Sequence, residues 1–337
     1  MSHTPKVAVL GGGTGTFMML LALKQLPVEI TAILTMVDDG GSNRVLRDQF
    51  GLLPSSGITQ CIVALSENQS LLRELMSYRF HQGEGLSGMR FGNLFIAAIT
   101  DIVGSQKQAI EEAKKLLQVK GNILPISYDD VRLVAKYEDG SEIRGEHSID
   151  EPDDAHDGTM KIVDLRTEPE ATLSEDARQA ILEADFVIFG PGDFYTNTVA
   201  NFVVKGVPEA LHESTAKKMF FTNLMTKYGE TYGYSVQTFL DEVNRYYALE
   251  DLDYVIVNNN MSYPEDALEK YAAQQAVPVK DDVAETYKSS QILRGDLIAD
   301  TIFQSGAGDV LQRSILRHDP NKVSAFLQEH FFANFEG

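Results

Sequence analysis

Residues 6–10 form a short apolar run that passes directly into Gly11-Gly12-Gly13-Thr14-Gly15, and residues 17–26 continue as a helix-length apolar stretch stopped by Pro27. A buried strand, a glycine loop and a helix in that order admit few folds. Residues 30–37 read as a second, β-branched strand, and the helical connection makes the two strands parallel neighbours through a right-handed crossover. The same pattern returns later in the chain. Apolar strands end after Leu10, Val37, Phe189, Thr222 and Val257, and each runs into a cluster of Gly, Asp, Asn, Thr or Ser. In an open parallel sheet these ends share one edge, where ligands bind. The fold class expected is α/β: a three-layer, Rossmann-like, mostly parallel sheet with a small β-rich insertion.

Residues 58–65, 70–80, 91–102 and 106–119 read as helices, with Leu71, Leu72, Leu75 and Met76 at helical spacing as core. The segment 82–88 is too glycine-rich for regular structure. From residue 122 the texture alternates, and residues 131–137 and 142–149 flank Asp139-Gly140 as a β-hairpin. The acidic stretch 150–158 reads as a solvated tip. Residues 162–165 and a helix over 174–184 return to α/β texture, and closing helices are expected over 309–316 and 321–332. This divides the chain into a glycine-loop half of the core (1–121), a β-hairpin insertion (122–170), and a second half with the C-terminal helices (171–337).

Composition excludes several functions. With 29 lysines and arginines against 49 aspartates and glutamates, the net charge is −20, and such a surface repels a nucleic-acid backbone. An anionic ligand must then be held locally, by backbone N–H groups, helix N-termini and a few arginines. Cys61 is the only cysteine, so neither an intramolecular disulfide nor a thiolate metal cluster can form. No apolar run reaches the ~18 residues of a membrane span, and residues 1–6 lack a signal peptide's basic start. A cytoplasmic protein is expected. Neither a catalytic triad nor metal-ligand spacing is visible.

The strand-end loops hold the candidate ligand residues. Gly12, Gly13, Thr14 and Gly15 open a helix whose dipole favours an anion. They form neither a P-loop nor a dinucleotide fingerprint, since the third glycine position holds Thr16. Asp38 and Asp39 suit a ribose hydroxyl, a divalent ion or a substrate amine, or one of them caps the next helix. Arg44 and Arg47 lie close enough in sequence to neutralise phosphate or to pair with these acids. Gly190 and Gly192 flank Pro191 in a second glycine turn, and Asn223, Thr226 and Asn258 bring uncharged groups suited to a sugar or base.

At these residues the sequence resembles the family that joins YvcK-type gluconeogenesis factors with 2-phospho-L-lactate transferase (CofD), and it is closer to the YvcK branch. The resemblance rests on Gly11 to Gly15, Val37-Asp38-Asp39-Gly40-Gly41-Ser42, Gly83-Glu84-Gly85-Leu86, Gly92-Asn93-Leu94 and Gly190-Pro191-Gly192. Asn223-Leu224-Met225-Thr226, Gly229-Glu230-Thr231 and Arg317-His318-Asp319-Pro320 complete it. It implies a Rossmann-like core and adds Asn93 and Arg317 to the ligand residues. The transferase branch moves a phospholactyl group from a nucleoside diphosphate donor with magnesium. The YvcK branch implies a binder of UDP-sugars that regulates carbon flow toward cell-wall precursors and supports cell shape during gluconeogenic growth. The chain departs from the family at Gly57 and Thr59, where an aspartate and an arginine are usual, and at Ala200, usually proline. Loss of that acid and base favours binding over turnover. The expected partners are a UDP-sugar or related nucleoside diphosphate, with neither nucleic acid nor membrane; magnesium is implied only for a transferase, and a homo-oligomer is compatible with the sequence.

Overall fold

In the computed structural model, which describes residues 3–67, 70–153, 155–248, 252–302, 314–333 and 335, eleven strands form two sheets. They are β1 (Lys6–Gly11), β2 (Glu29–Leu34), β3 (Asn122–Pro125), β4 (Arg132–Tyr137), β5 (Glu142–Arg144), β6 (Ile162–Glu168), β7 (Phe186–Phe189), β8 (Lys217–Phe221), β9 (Tyr254–Asn258), β10 (Thr286–Tyr287) and β11 (Ser290–Gly295). The larger sheet has the order β10-β11-β9-β8-β7-β1-β2-β3 and is parallel apart from β10 at its edge. Burial on both faces explains the nearly continuous apolar runs of β1 and β7. Alternate side chains then feed two core layers. Ala8, Leu10, Val187 and Phe189 face the layer containing the Glu175–Glu183 and Val236–Tyr246 helices; Val7, Val9, Ile188 and Phe221 face the Gly13–Leu23, Ser56–Leu65 and Pro320–Leu327 helices.

The expected parallel arrangement is therefore observed, with the five strands that begin near Lys6, Ile30, Asp185, Lys218 and Tyr254 adjacent in one sheet. The chain leaves β1 toward β2 on one side, while β7, β8 and β9 follow on the other. The β1/β7 boundary is the topological switch point, where the crevice at the carboxyl ends opens.

The insertion differs in extent from the sequence reading. Asn122–Pro125 is the outer strand of the main sheet, pairing with β2, while β6 belongs to the small antiparallel sheet β5-β4-β6. The pattern of β6 is half-buried, as befits a strand with one solvated face. The hairpin at Asp139-Gly140 forms as expected, but its second strand stops at Arg144, because Gly145 at φ 100° turns the chain into the short helix Glu146–Asp150. In the stretch expected to be solvated, Glu151, Asp153, Ala155 and Asp157 are exposed, but its far end is anchored. Gly229 N donates to Gly158 O at 2.9 Å, and the His156 ring lies 4.4 Å from that of Tyr137.

Two helical expectations also change. Met76 is buried, but Leu71 and Leu75 are 75% and 42% exposed, so the expected stripe is core on one side only. The closing helix covers Pro320–Leu327 and continues as a π-type turn, Gln328–Phe332. Residues 309–313 of the preceding expected helix lie outside the described residues.

Two glycines with opposite surroundings test this packing. A Cβ at Gly15 would sit 1.9 Å from Pro191 O and 2.7 Å from Gly192 N, both backbone atoms, whereas one at Gly57 would meet only Leu34 Cδ1 at 3.7 Å. Gly15→Ala should destabilise by about 3 kcal/mol or more. Gly57→Ala, inside a helix, should stabilise by up to about 1 kcal/mol. Urea unfolding midpoints of the two variants, displaced in opposite directions from the parent, are the expected result.

Candidate functional site

Three strand-end loops interlock at the switch point. Gly12 precedes the Gly13–Leu23 helix in extended backbone, and Gly13 adopts φ +61°. Gly15 lies against the Gly190-Pro191-Gly192 turn after β7, and a Cβ on Gly12 would meet Asn197 Oδ1 at 2.2 Å. Asn223 Nδ2, after β8, donates to Gly192 O at 2.7 Å. Gly13, Thr14 and Gly15 remain half-buried at the surface of this assembly.

The neighbouring helix ends lack side-chain caps. The Gly13–Leu23 and Gly41–Phe50 helices have no side-chain cap and no acid in the first turn, whereas Ser105, Ser174, Ser235 and Asp319 cap other helices with their side chains. The first N–H groups of an uncapped helix require an outside acceptor, and with the helix dipole they favour an anion.

Asp38 and Asp39, adjacent in sequence, take different roles. Asp38 Oδ1 accepts from Gly40 N at 3.0 Å, and burial raises its pKa against the opposing influence of Gly40, Asn43 and Arg90. Asp39 Oδ1 accepts from His147 N at 3.0 Å and so ties the insertion to the end of β2. Arg44 is exposed, while Arg47 is buried and donates through Nε to Asp130 at 2.6 Å. Arg90, also buried, is the arginine whose charge reaches Asp38.

Several other expected residues are occupied by the fold. Asn93 is fully buried and donates to Ser42 Oγ and Asn43 Oδ1, both at 2.9 Å, joining the starts of two helices. Thr226 pairs with Val277 through both its N–H and its hydroxyl, and Asn258 bridges Asn260 O and Leu297 N. Arg317 Nε donates to Ser314 O at 3.0 Å. Tyr271, whose phenol pKa burial raises, accepts from Ile315 N at 3.1 Å and Leu316 N at 3.2 Å, which ties the segment before Arg317 to the Glu265–Ala273 helix.

Sequence reasoning missed the charge cluster beside the glycine loops. Asp150 of the insertion, Asp193 after the second glycine turn, and Glu230 after β8 each present a carboxylate oxygen within 4.8 Å of the others. Lys227 lies among them, 3.4 Å from Asp193 and 3.1 Å from Glu230, and in contact with Asp150. Burial opposes its ammonium, but the three carboxylates outweigh burial and hold its pKa well above the ordinary range. The Glu230 side chain is 1% exposed and receives a bond from Tyr195 N. Burial, reinforced by Asp150 and Asp193 and opposed by Lys227, pushes it up to about 8. The pKa of Glu146 is raised well above its ordinary value, first by burial and then by Asp38, Asp150 and Asp193.

The insertion thus spans the crevice from Asp39 at the end of β2 to Lys227 and Gly229 after β8. The all-oxygen donor set formed by Asp150 with Asp193 and Glu230 suits a hard cation such as magnesium. Asp150, Asp193 and Glu230 would hold that ion, with the Lys227 ammonium displaced from their midst. Away from this edge, a groove of about 440 Å³ lies over β1 to β3, lined by residues such as Lys6, Glu29 and Lys107. It touches none of the strand-end loops.

The geometry can be set beside known proteins. Residues 7–298 match the family model described as 2-phospho-L-lactate transferase CofD. A Thermotoga maritima protein named putative gluconeogenesis factor is 39% identical over 96% of this chain and 98% of its own length. The gluconeogenesis factor of Bacillus subtilis is 34% identical over 97% of this chain and 98% of its own. A crystal structure of a Bacillus halodurans protein superposes with a TM-score of 0.86 at 34% identity, covering 96% and 99% of the two chains. Matched along nearly its whole length in sequence and in fold, this chain belongs to the family of CofD and the gluconeogenesis factors.

Proposed function

We propose that the chain binds a UDP-sugar or related nucleoside diphosphate at the β1/β7 switch point, and acts in the cytoplasm as a regulator of carbon flow toward cell-wall precursors, maintaining cell shape during gluconeogenic growth. The observation that carries this reading is the meeting of two glycine turns with uncapped helix N-termini at one point of the sheet edge. Backbone donors there suit a diphosphate in a protein of net charge −20. The names of its relatives support the gluconeogenic context. No described helix is long and apolar enough to cross a membrane.

A second reading, a phospho-group transferase using a nucleoside diphosphate donor, draws on the description of the family model and on the Asp150, Asp193 and Glu230 oxygens. Against it, Gly57 meets only Leu34, and the buried Thr59 hydroxyl is bonded to Ser56 O, so this turn carries no charged side chain toward a donor. A thermal-shift screen of UDP-sugars with and without magnesium, followed by product analysis, separates the readings. Stabilisation by intact ligand without turnover is expected, and a covalently altered donor would establish the transferase.

Two measurements test the site itself. Arg317→Ala should keep the circular dichroism of the parent and weaken UDP-sugar binding by about 1.5 to 3 kcal/mol in titration calorimetry. Unchanged affinity would make this arginine structural. Glu230 gives the pH dependence. Bound phosphate favours its protonated, uncharged form, so affinity should be highest below about pH 8 and fall as pH rises through that value, by roughly tenfold. Glu230→Gln, neutral at every pH, should flatten this profile, and an unaltered profile would place the titrating group elsewhere.

A further inference from the structure

Lys227 stands among carboxylates from three separate elements. Asp150 closes the Glu146–Asp150 helix of the insertion, Asp193 follows the glycine turn after β7, and Glu230 follows β8. Their oxygens lie within 4.8 Å of one another, and the Lys227 ammonium reaches all three, at 3.4 Å from Asp193, 3.1 Å from Glu230 and in direct contact with Asp150. Oxygen atoms facing each other across a hard divalent ion lie about 4 to 5 Å apart, twice the metal–oxygen distance. The ammonium therefore fills a space of the size and donor type that such an ion requires.

Two buried oxygens of this region are left over. Glu230 Oε1, on a side chain 1% exposed, faces the ammonium without hydrogen-bond geometry. The hydroxyl of the fully buried Tyr137, whose pKa is raised by burial and then by Glu230, finds no hydrogen-bond partner among the described residues. An ammonium has three protons to donate, and Asp150 and Asp193 accept from it here. A divalent ion with six or more coordination positions would use the surrounding oxygens more fully.

We propose that Asp150, Asp193 and Glu230 form a divalent-cation site whose resident cation is Lys227, and that its ammonium keeps the metal out. The two cannot share this space, because they repel each other and need the same oxygens. Docking of the insertion through Asp150 then requires no metal. The turn that carries Lys227 is fixed independently of its side chain, since Lys227 N donates to Thr231 Oγ1 at 2.9 Å and Thr231 N donates to Lys227 O at 2.8 Å. Removal of the ammonium should therefore leave the three carboxylates together and without a counter-charge.

Mn²⁺ alone is the probe, titrated into the full chain and followed by the electron paramagnetic resonance signal of the free ion. The parent should take up none below about 1 mM, whereas Lys227→Met should bind one ion per chain at least roughly tenfold more tightly, and lose it again when Asp193→Asn is added. In thermal melts, Mn²⁺ should raise the midpoint of Lys227→Met, while neither Mn²⁺ below that concentration nor a chelator should move that of the parent. Should Lys227→Met lose the circular dichroism of the parent, Lys227→Gln, uncharged but still able to donate to Asp150, provides the same readout. Equal Mn²⁺ affinity in the parent and the folded variant, a gain that survives Asp193→Asn, or a parent stabilised by the metal would each overturn the proposal.

Discussion

The structure depends on the close approach of the first helix to the turn after β7. Gly15 leaves no room for a methyl group above Pro191 O, and Gly12 leaves none beside Asn197. Because β1 and β7 are hydrogen-bonded neighbours, any side chain at these glycines would push apart the loops that the sheet holds together. The same contact brings backbone N–H groups from two halves of the chain to one place. A ligand held there, as proposed, would impose the same requirement on these glycines as the packing does.

Around that point, charge is arranged by desolvation as much as by pairing. A single lysine neutralises part of a group of three carboxylates, and burial raises the pKa of Asp193 and Glu230 among them. Isolated buried carboxylates would be costly, and the arrangement persists because the acids can share Lys227 or retain protons. The insertion is held by this chemistry, since Asp150 reaches Lys227 while Asp39 bonds the backbone at His147. A β-rich excursion is thereby docked across the opening of the crevice.

Charge is divided between the parts of the chain that meet at the crevice. The insertion and the second half of the core supply the acids that line one side of the crevice, while the first half supplies the glycine loop. A polyanionic ligand approaching the crevice would thus meet backbone donors and the buried Arg90 on one side and, on the other, acids whose pKa burial raises.

Much of the fold was legible in the residues because parallel strands buried on both faces leave an unambiguous apolar run, as in Val7 to Leu10 and Phe186 to Phe189, and because glycine clusters mark where such strands end. The hairpin at Asp139-Gly140 was legible for the same local reason. The family resemblance pointed to Asn93 and Arg317. What the residues alone did not disclose was long-range. Asp39, Thr226 and Asn258 have the chemistry of ligand residues, yet their partners His147, Val277, Asn260 and Leu297 show that each is used in holding loops. Lys227, Asp150, Asp193 and Glu230 come from three separate segments, and no spacing along the chain announces their meeting. The exposure of Leu71 and Leu75 was hidden likewise, because helical periodicity reveals an apolar face but not whether anything covers it. Local sequence determined which elements form and where they end; only tertiary packing decided which polar groups meet, because that depends on contacts between residues distant in the chain.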